Sequence, residues 1–109
     1  MQTLATIYEF RTANFIVRVD ALEEIDLDLP WDDTGEVAEK LDNGQLVAFC
    51  AKAAVLFRGT EIGADYLGNC IYESFDGFRH DSGYFHDMVS LAIRSARDHF
   101  KDLPALRAA

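Results

Sequence analysis

Two cysteines, two prolines and one tryptophan are all that this chain of 109 residues holds of those three types. So few cysteines cannot staple a secreted disulfide scaffold. Cys50 and Cys70 read as reduced thiols packed as small hydrophobes, with a cross-strand disulfide or a reactive thiol as the alternatives. No apolar run approaches the roughly 18 residues of a membrane-spanning helix. The first residues, MQTLATIYEFR, show neither a basic stretch nor a small-residue cleavage site, so no export signal is expected and the bacterial cytoplasm is the expected location. There is no internal repeat and no low-complexity linker. Neither CxxC nor HExxH occurs, and His80 and His86 stand six residues apart, which leaves zinc unsupported. Nucleic acid would need a basic face, but Arg94, Arg97 and Lys101 are interrupted by Asp98 and Asp102.

What is present begins with apolar content. Half the residues are hydrophobic and 12% are aromatic, which excludes a disordered acidic tail, and the length suits one domain over 1–109. The net charge is −9, and its location is informative. Between Asp20 and Asp42 ten acids face a single base, Lys40, while the other nine acids are matched by nine bases. The whole imbalance lies in the acidic segment 20–42, a localised field rather than general solubility charge.

The pattern of residues places this segment between two hairpins. Ile7 to Arg11 and Phe15 to Asp20 are rich in β-branched and aromatic residues and flank the polar turn TAN, where Asn14 can adopt a left-handed conformation. Asp20 is expected to close the second strand. Pro30 and the pair Asp32-Asp33 oppose a continuing strand. TGEVAEKLDNG then predicts a short helix, capped by Thr34, stopped by Asn43-Gly44, with Val37 and Leu41 toward the core. QLVAFCAKAAVLFRG reads as a central strand with two apolar faces broken only by Lys52, and Arg58-Gly59-Thr60 turns it into EIGADYLGNCIY. A turn on Thr60 would set Cys50 opposite Cys70. The glycines of that strand mark a bulge or a close backbone approach. ESFDGFRHDSG predicts a helical turn or two. A long helix follows, with Phe85, Met88, Val89, Ala92, Ala96, His99, Phe100 and Leu103 on one face, a cap at Asp81 or Ser82, and Pro104 as its stop. The predicted class is α+β in the order ββαββαα: a four-stranded antiparallel sheet with the long C-terminal helix on one face.

Candidate chemistry is sparse. A nucleophilic site could be assembled from Cys70, His86 and Asp87, but no spacing demands it, and no catalytic residues or cofactor are expected. Asp26-x-Asp28 resembles the opening of a calcium loop and then lacks the third acid and the central glycine, so no metal site is expected either. The acidic segment remains. Its plainer reading is a solvated loop that keeps the protein soluble. Yet clustered acids repel one another, a cost that dispersed acids avoid. Ile25, Leu27 and Leu29 interleave Asp26 and Asp28, so an extended chain would anchor one side and project carboxylates about 6.6 Å apart from the other. That spacing is comparable with successive phosphates on a nucleic-acid strand. Trp31 is a residue type that often anchors interfaces. Glu23, Glu24, Asp26, Asp28, Trp31, Asp32, Asp33, Glu36 and Glu39 are therefore the candidate partner-binding residues.

GADYLGNCIYESFDGFR and GYFHDMVSLAIRSAR resemble segments of small acidic proteins carried by phages, plasmids and other mobile elements, over roughly 44–100. That setting includes anti-CRISPR and anti-restriction inhibitors, some of them DNA mimics. The resemblance implies a class of function, with no particular target and no active site. Its segments lie mostly outside the acidic stretch, so the partner surface could instead be built around Tyr66, Asn69, Tyr72 and the loop at Gly83-Tyr84. The expected function is a non-enzymatic DNA mimic that binds the basic nucleic-acid-binding surface of a host defence protein. The alternatives are a protein-interaction module or homodimer using a sheet face or edge and, third, a small Cys/His enzyme.

Overall fold

Two β-hairpins joined side by side form the frame of the computed structural model, which describes residues 2–25 and 27–101, with Lys101 as backbone alone. Strands β1 (Thr3–Arg11) and β2 (Phe15–Leu22) make the first hairpin, and β3 (Val47–Phe57) and β4 (Thr60–Tyr72) the second. All neighbours are antiparallel, in the order β1-β2-β3-β4. Helix α1 (Glu36–Asp42) lies between the hairpins in sequence, and α2 (Gly77–Asp81) and α3 (Phe85–Lys101) follow the sheet. The order is ββαββαα and α3 packs on β3 and β4, the α+β architecture that the residue pattern predicts.

Local chemistry explains where the elements turn. Arg58 and Gly59 both take positive φ, 50° and 84°, and Phe57 pairs with Thr60, so the second hairpin closes on two left-handed residues whose twist suits the strands. At the first hairpin Asn14 is not left-handed. Thr12 closes that turn: its N–H donates to the Phe15 carbonyl at 2.8 Å and its hydroxyl accepts the Phe15 N–H at 3.1 Å. Strand β2 runs two residues past Asp20. The strand tolerates this buried carboxylate because Arg18 Nε donates to it at 3.0 Å and the Thr6 hydroxyl at 2.8 Å.

The core lies between the sheet and α2–α3. Alternate β3 residues Phe49, Ala51, Ala53 and Val55 are buried there against Phe85, Met88, Ala92 and Ala96 of α3. Small residues on both sides allow close packing. A Cβ at Gly63 would stand 2.5 Å from the Ala92 carbonyl oxygen and 2.6 Å from the Ala96 nitrogen, so glycine lets the helix lie directly on β4. The predicted stripe of α3 needs one correction: His99 is exposed, and Ile93 packs against the core instead. Expected Leu103 and Pro104 lie outside the described residues. Phe78 of the five-residue α2 is fully buried, its ring 5.8–6.5 Å from those of Tyr72, Phe49 and Phe85.

Helix α1 is peripheral. It buries no residue completely, and Val37 and Leu41 are only half-buried rather than core-facing. The sheet face opposite α3 carries Arg18, Asp20, Lys52 and Glu61 beside apolar residues such as Ile16, Ala54 and Leu56, with Lys52 paired to Glu61. Near its end the sheet is irregular. Phe49 pairs with Cys70 and Ala51 with Leu67, so Gly68 and Asn69 bulge opposite Cys50, and Asn69 has φ of 55°. Cys70 therefore shares the face of Phe49 while Cys50 points to the other. The two thiols are free and buried, as their reading as small hydrophobes expects, and the bulge corrects the simple register that a turn on Thr60 would give, with Cys50 opposite Cys70.

Candidate functional site

The acidic segment begins inside β2, at Asp20, and leaves the sheet after Leu22. Glu23 still donates its N–H to the Gln2 carbonyl at 2.8 Å. Glu24 then reaches across β3 to β4, a span of about 10 Å set by two strand spacings. Its Oε2 accepts the N–H of Asn69 at 2.8 Å, using the amide that the bulge frees from the β3 ladder. The crossing covers the Cys50 end of the open sheet face. Burial pushes the Cys50 thiol up, and the Glu24 carboxylate adds to the rise. Cys70 is pushed up to about 11 by burial.

Farther on, the segment is tied to its own helix, α1. Asp32 accepts the N–H groups of Val37 at 3.2 Å and Ala38 at 3.0 Å with its two carboxylate oxygens. It thus satisfies two of the orphan donors of the first helical turn, where negative charge also suits the helix dipole. The predicted cap, Thr34, makes a longer contact of 3.4 Å to the Glu36 N–H. Asp32 is a structural carboxylate; losing such a cap costs about 1 kcal/mol.

The candidate acids therefore divide into two groups. Glu24 holds the segment on the sheet and Asp32 joins it to its own helix α1, while Glu23, Asp28, Asp33, Glu36 and Glu39 are exposed. Glu36 pairs with Lys40 at 3.2 Å. Asp26 lies outside the described residues. Trp31 is 61% exposed. It stands at a groove of about 380 Å³ along edge strand β4, lined also by the run from Leu67 to Tyr72 and by Tyr84. The groove gathers residues from two sequence expectations. Trp31 comes from the acidic segment, while Asn69, Tyr72 and Tyr84 come from the alternative surface. Tyr66 stands apart, beside Lys52 on the open face of the sheet. Burial raises the Tyr72 phenol, partly offset by the Ser82 hydroxyl. Ser82 also links α2 to the start of α3, donating to the Phe78 carbonyl and accepting the Tyr84 N–H.

The residues considered for catalysis fall elsewhere. Cys70 lines the Trp31–Tyr84 groove, whereas His86 lines a separate groove with Tyr8, Arg79, His80, Phe85 and Val89. Among the described residues no group of three or more His, Cys, Asp or Glu side chains could hold a metal ion, and no helix is long and apolar enough to cross a membrane. Compared with known protein families, curated proteins and solved structures, the chain matches none.

Proposed function

We propose that this protein is a non-enzymatic binding protein whose acidic surface occupies the basic nucleic-acid-binding surface of a host defence protein, as an anti-CRISPR or anti-restriction inhibitor that mimics DNA charge. One observation carries the reading: Glu24 ties the segment to β4 and Asp32 ties the stretch after Trp31 to α1 within the segment itself, so Glu23, Asp28, Asp33 and Glu39 project from a segment ordered by carboxylates of its own. Carboxylates held in place bind a Lys/Arg groove without first having to order a loop. Their field steers association, and each makes charge-assisted hydrogen bonds on contact. The mobile-element setting is part of the proposal and rests on the strings GADYLGNCIYESFDGFR and GYFHDMVSLAIRSAR alone. A second reading is a homodimer through edge strand β1, where Leu4 and Phe10 are exposed.

The test is capture from a lysate of bacteria carrying CRISPR and restriction systems. Wild type is compared with a Glu23→Gln, Asp28→Asn, Asp33→Asn, Glu39→Gln variant that leaves both anchors intact. A nucleic-acid-binding complex should come down with wild type alone and elute at moderate salt. Capture of the same partner by both proteins, or of none by either, contradicts mimicry.

A further inference from the structure

We infer that the groove between Trp31 and Tyr84 receives an arginine side chain of the partner; this deepens the acidic-surface reading and rests on it. The argument starts from the lining. Two rings, Trp31 and Tyr84, are 61% and 57% exposed on the same groove, which half-buried Tyr72, packed on Phe49 and Phe78, also lines. Large exposed aromatic faces carry a negative quadrupole that attracts cations, and a planar guanidinium can also stack on them. Between the rings lies the edge of β4, which pairs with β3 on one side only. Backbone carbonyls on the outer side of an edge strand lack a ladder partner and can accept hydrogen bonds. A guanidinium offers five donors and no acceptor.

Charge points the same way. Glu24 does not line the groove but stands next to its lining, its Oε2 bound to the N–H of Asn69 and close to Gly68. Asp32 and Asp33 follow Trp31 directly. A nucleobase could stack on the same rings, but its phosphates would meet this field with the wrong sign. Lysine would bring charge without the flat face that stacks. The protein itself uses this kind of contact, with the Arg79 guanidinium 4.9 Å from the Tyr8 ring centre.

Trp31 is the only tryptophan, so its fluorescence reports on the groove directly. The experiment titrates the whole protein with tetra-arginine and with tetra-lysine amides of equal charge. Tetra-arginine should change the Trp31 emission and bind about tenfold more tightly than tetra-lysine. Tyr84→Ala should remove that preference while leaving lysine binding unchanged, and the exposed position of Tyr84 makes misfolding a poor explanation. The charge-removal variant described above should weaken both peptides alike. Equal, salt-sensitive binding of the two peptides, unaffected by Tyr84→Ala, would overturn the arginine groove and leave the acidic-surface reading standing. Failure of both peptides to bind at low salt would overturn both.

Discussion

Glu24 and Asp32 show how misleading a count of acids can be at the scale of single residues. Both belong to the dense run from Glu23 to Glu36, and both turn to backbone N–H groups of the protein itself. Sequence registers the charge of a carboxylate but not its partner, because the partner of Glu24 is 45 residues away and exists only where β4 bulges. Asp20 is a third case, a buried acid made tolerable by Arg18 and Thr6. The thiols illustrate the opposite outcome: packed as small hydrophobes, they need no tertiary detail to be read as unreactive. Burial holds Cys70 as a neutral thiol well above its ordinary value of 9.0, pushed up to about 11. The folded state thus binds this proton more tightly than the unfolded chain does. Its contribution to stability is complete below pH 9 and is lost as pH rises through 11. Lys52, raised by its hydrogen bond to Glu61, adds a similar decline above 10.5. Urea unfolding between pH 8 and 10 should show stability falling for wild type and a flatter profile for Cys70→Ala. Parallel profiles would mean the Cys70 thiol is not held neutral.

Among the elements, strands and the long helix were legible because their period is written in side chains. Alternation in β3 and the apolar spacing of α3 follow directly from how each backbone turns its Cβ atoms. Short elements were harder to read. Phe78 sits in a run of turn-like residues, FDGF, so nothing local distinguishes a core ring from an exposed one. Helix α1 was expected to dock through Val37 and Leu41, yet two large apolar residues on seven are too few to hold a helix against the core. Gly63 is the case where a strand glycine has a single physical cause, the backbone of α3. Gly63→Ala should force α3 away from β4 and cost about 1–3 kcal/mol. Gly83→Ala, at a glycine with open space around it, should change stability by less than about 0.5 kcal/mol. Chemical denaturation of the two variants separates them. Equal midpoints would show that the close packing at Gly63 contributes nothing.

Across the whole molecule, the sheet brings two surfaces together that are far apart in the chain. The acidic segment leaves β2, crosses β3 and reaches the β4 edge, where Trp31 shares a groove with Asn69, Tyr72 and Tyr84. The concentration of charge was legible from sequence, but the groove was not, since its lining comes from three separated stretches joined only by sheet order. An inhibitor built this way would present a negative face with aromatic anchors at its border. Its affinity should then depend on ions as DNA binding does. The most direct measurement takes the nucleic-acid-binding complex captured by wild type and determines its affinity for this protein from about 50 to 300 mM salt, with and without the complex's own DNA. Affinity falling steeply with salt, together with mutual exclusion of protein and DNA, is the predicted result. Salt-independent affinity, or a ternary complex that keeps its DNA, would contradict it.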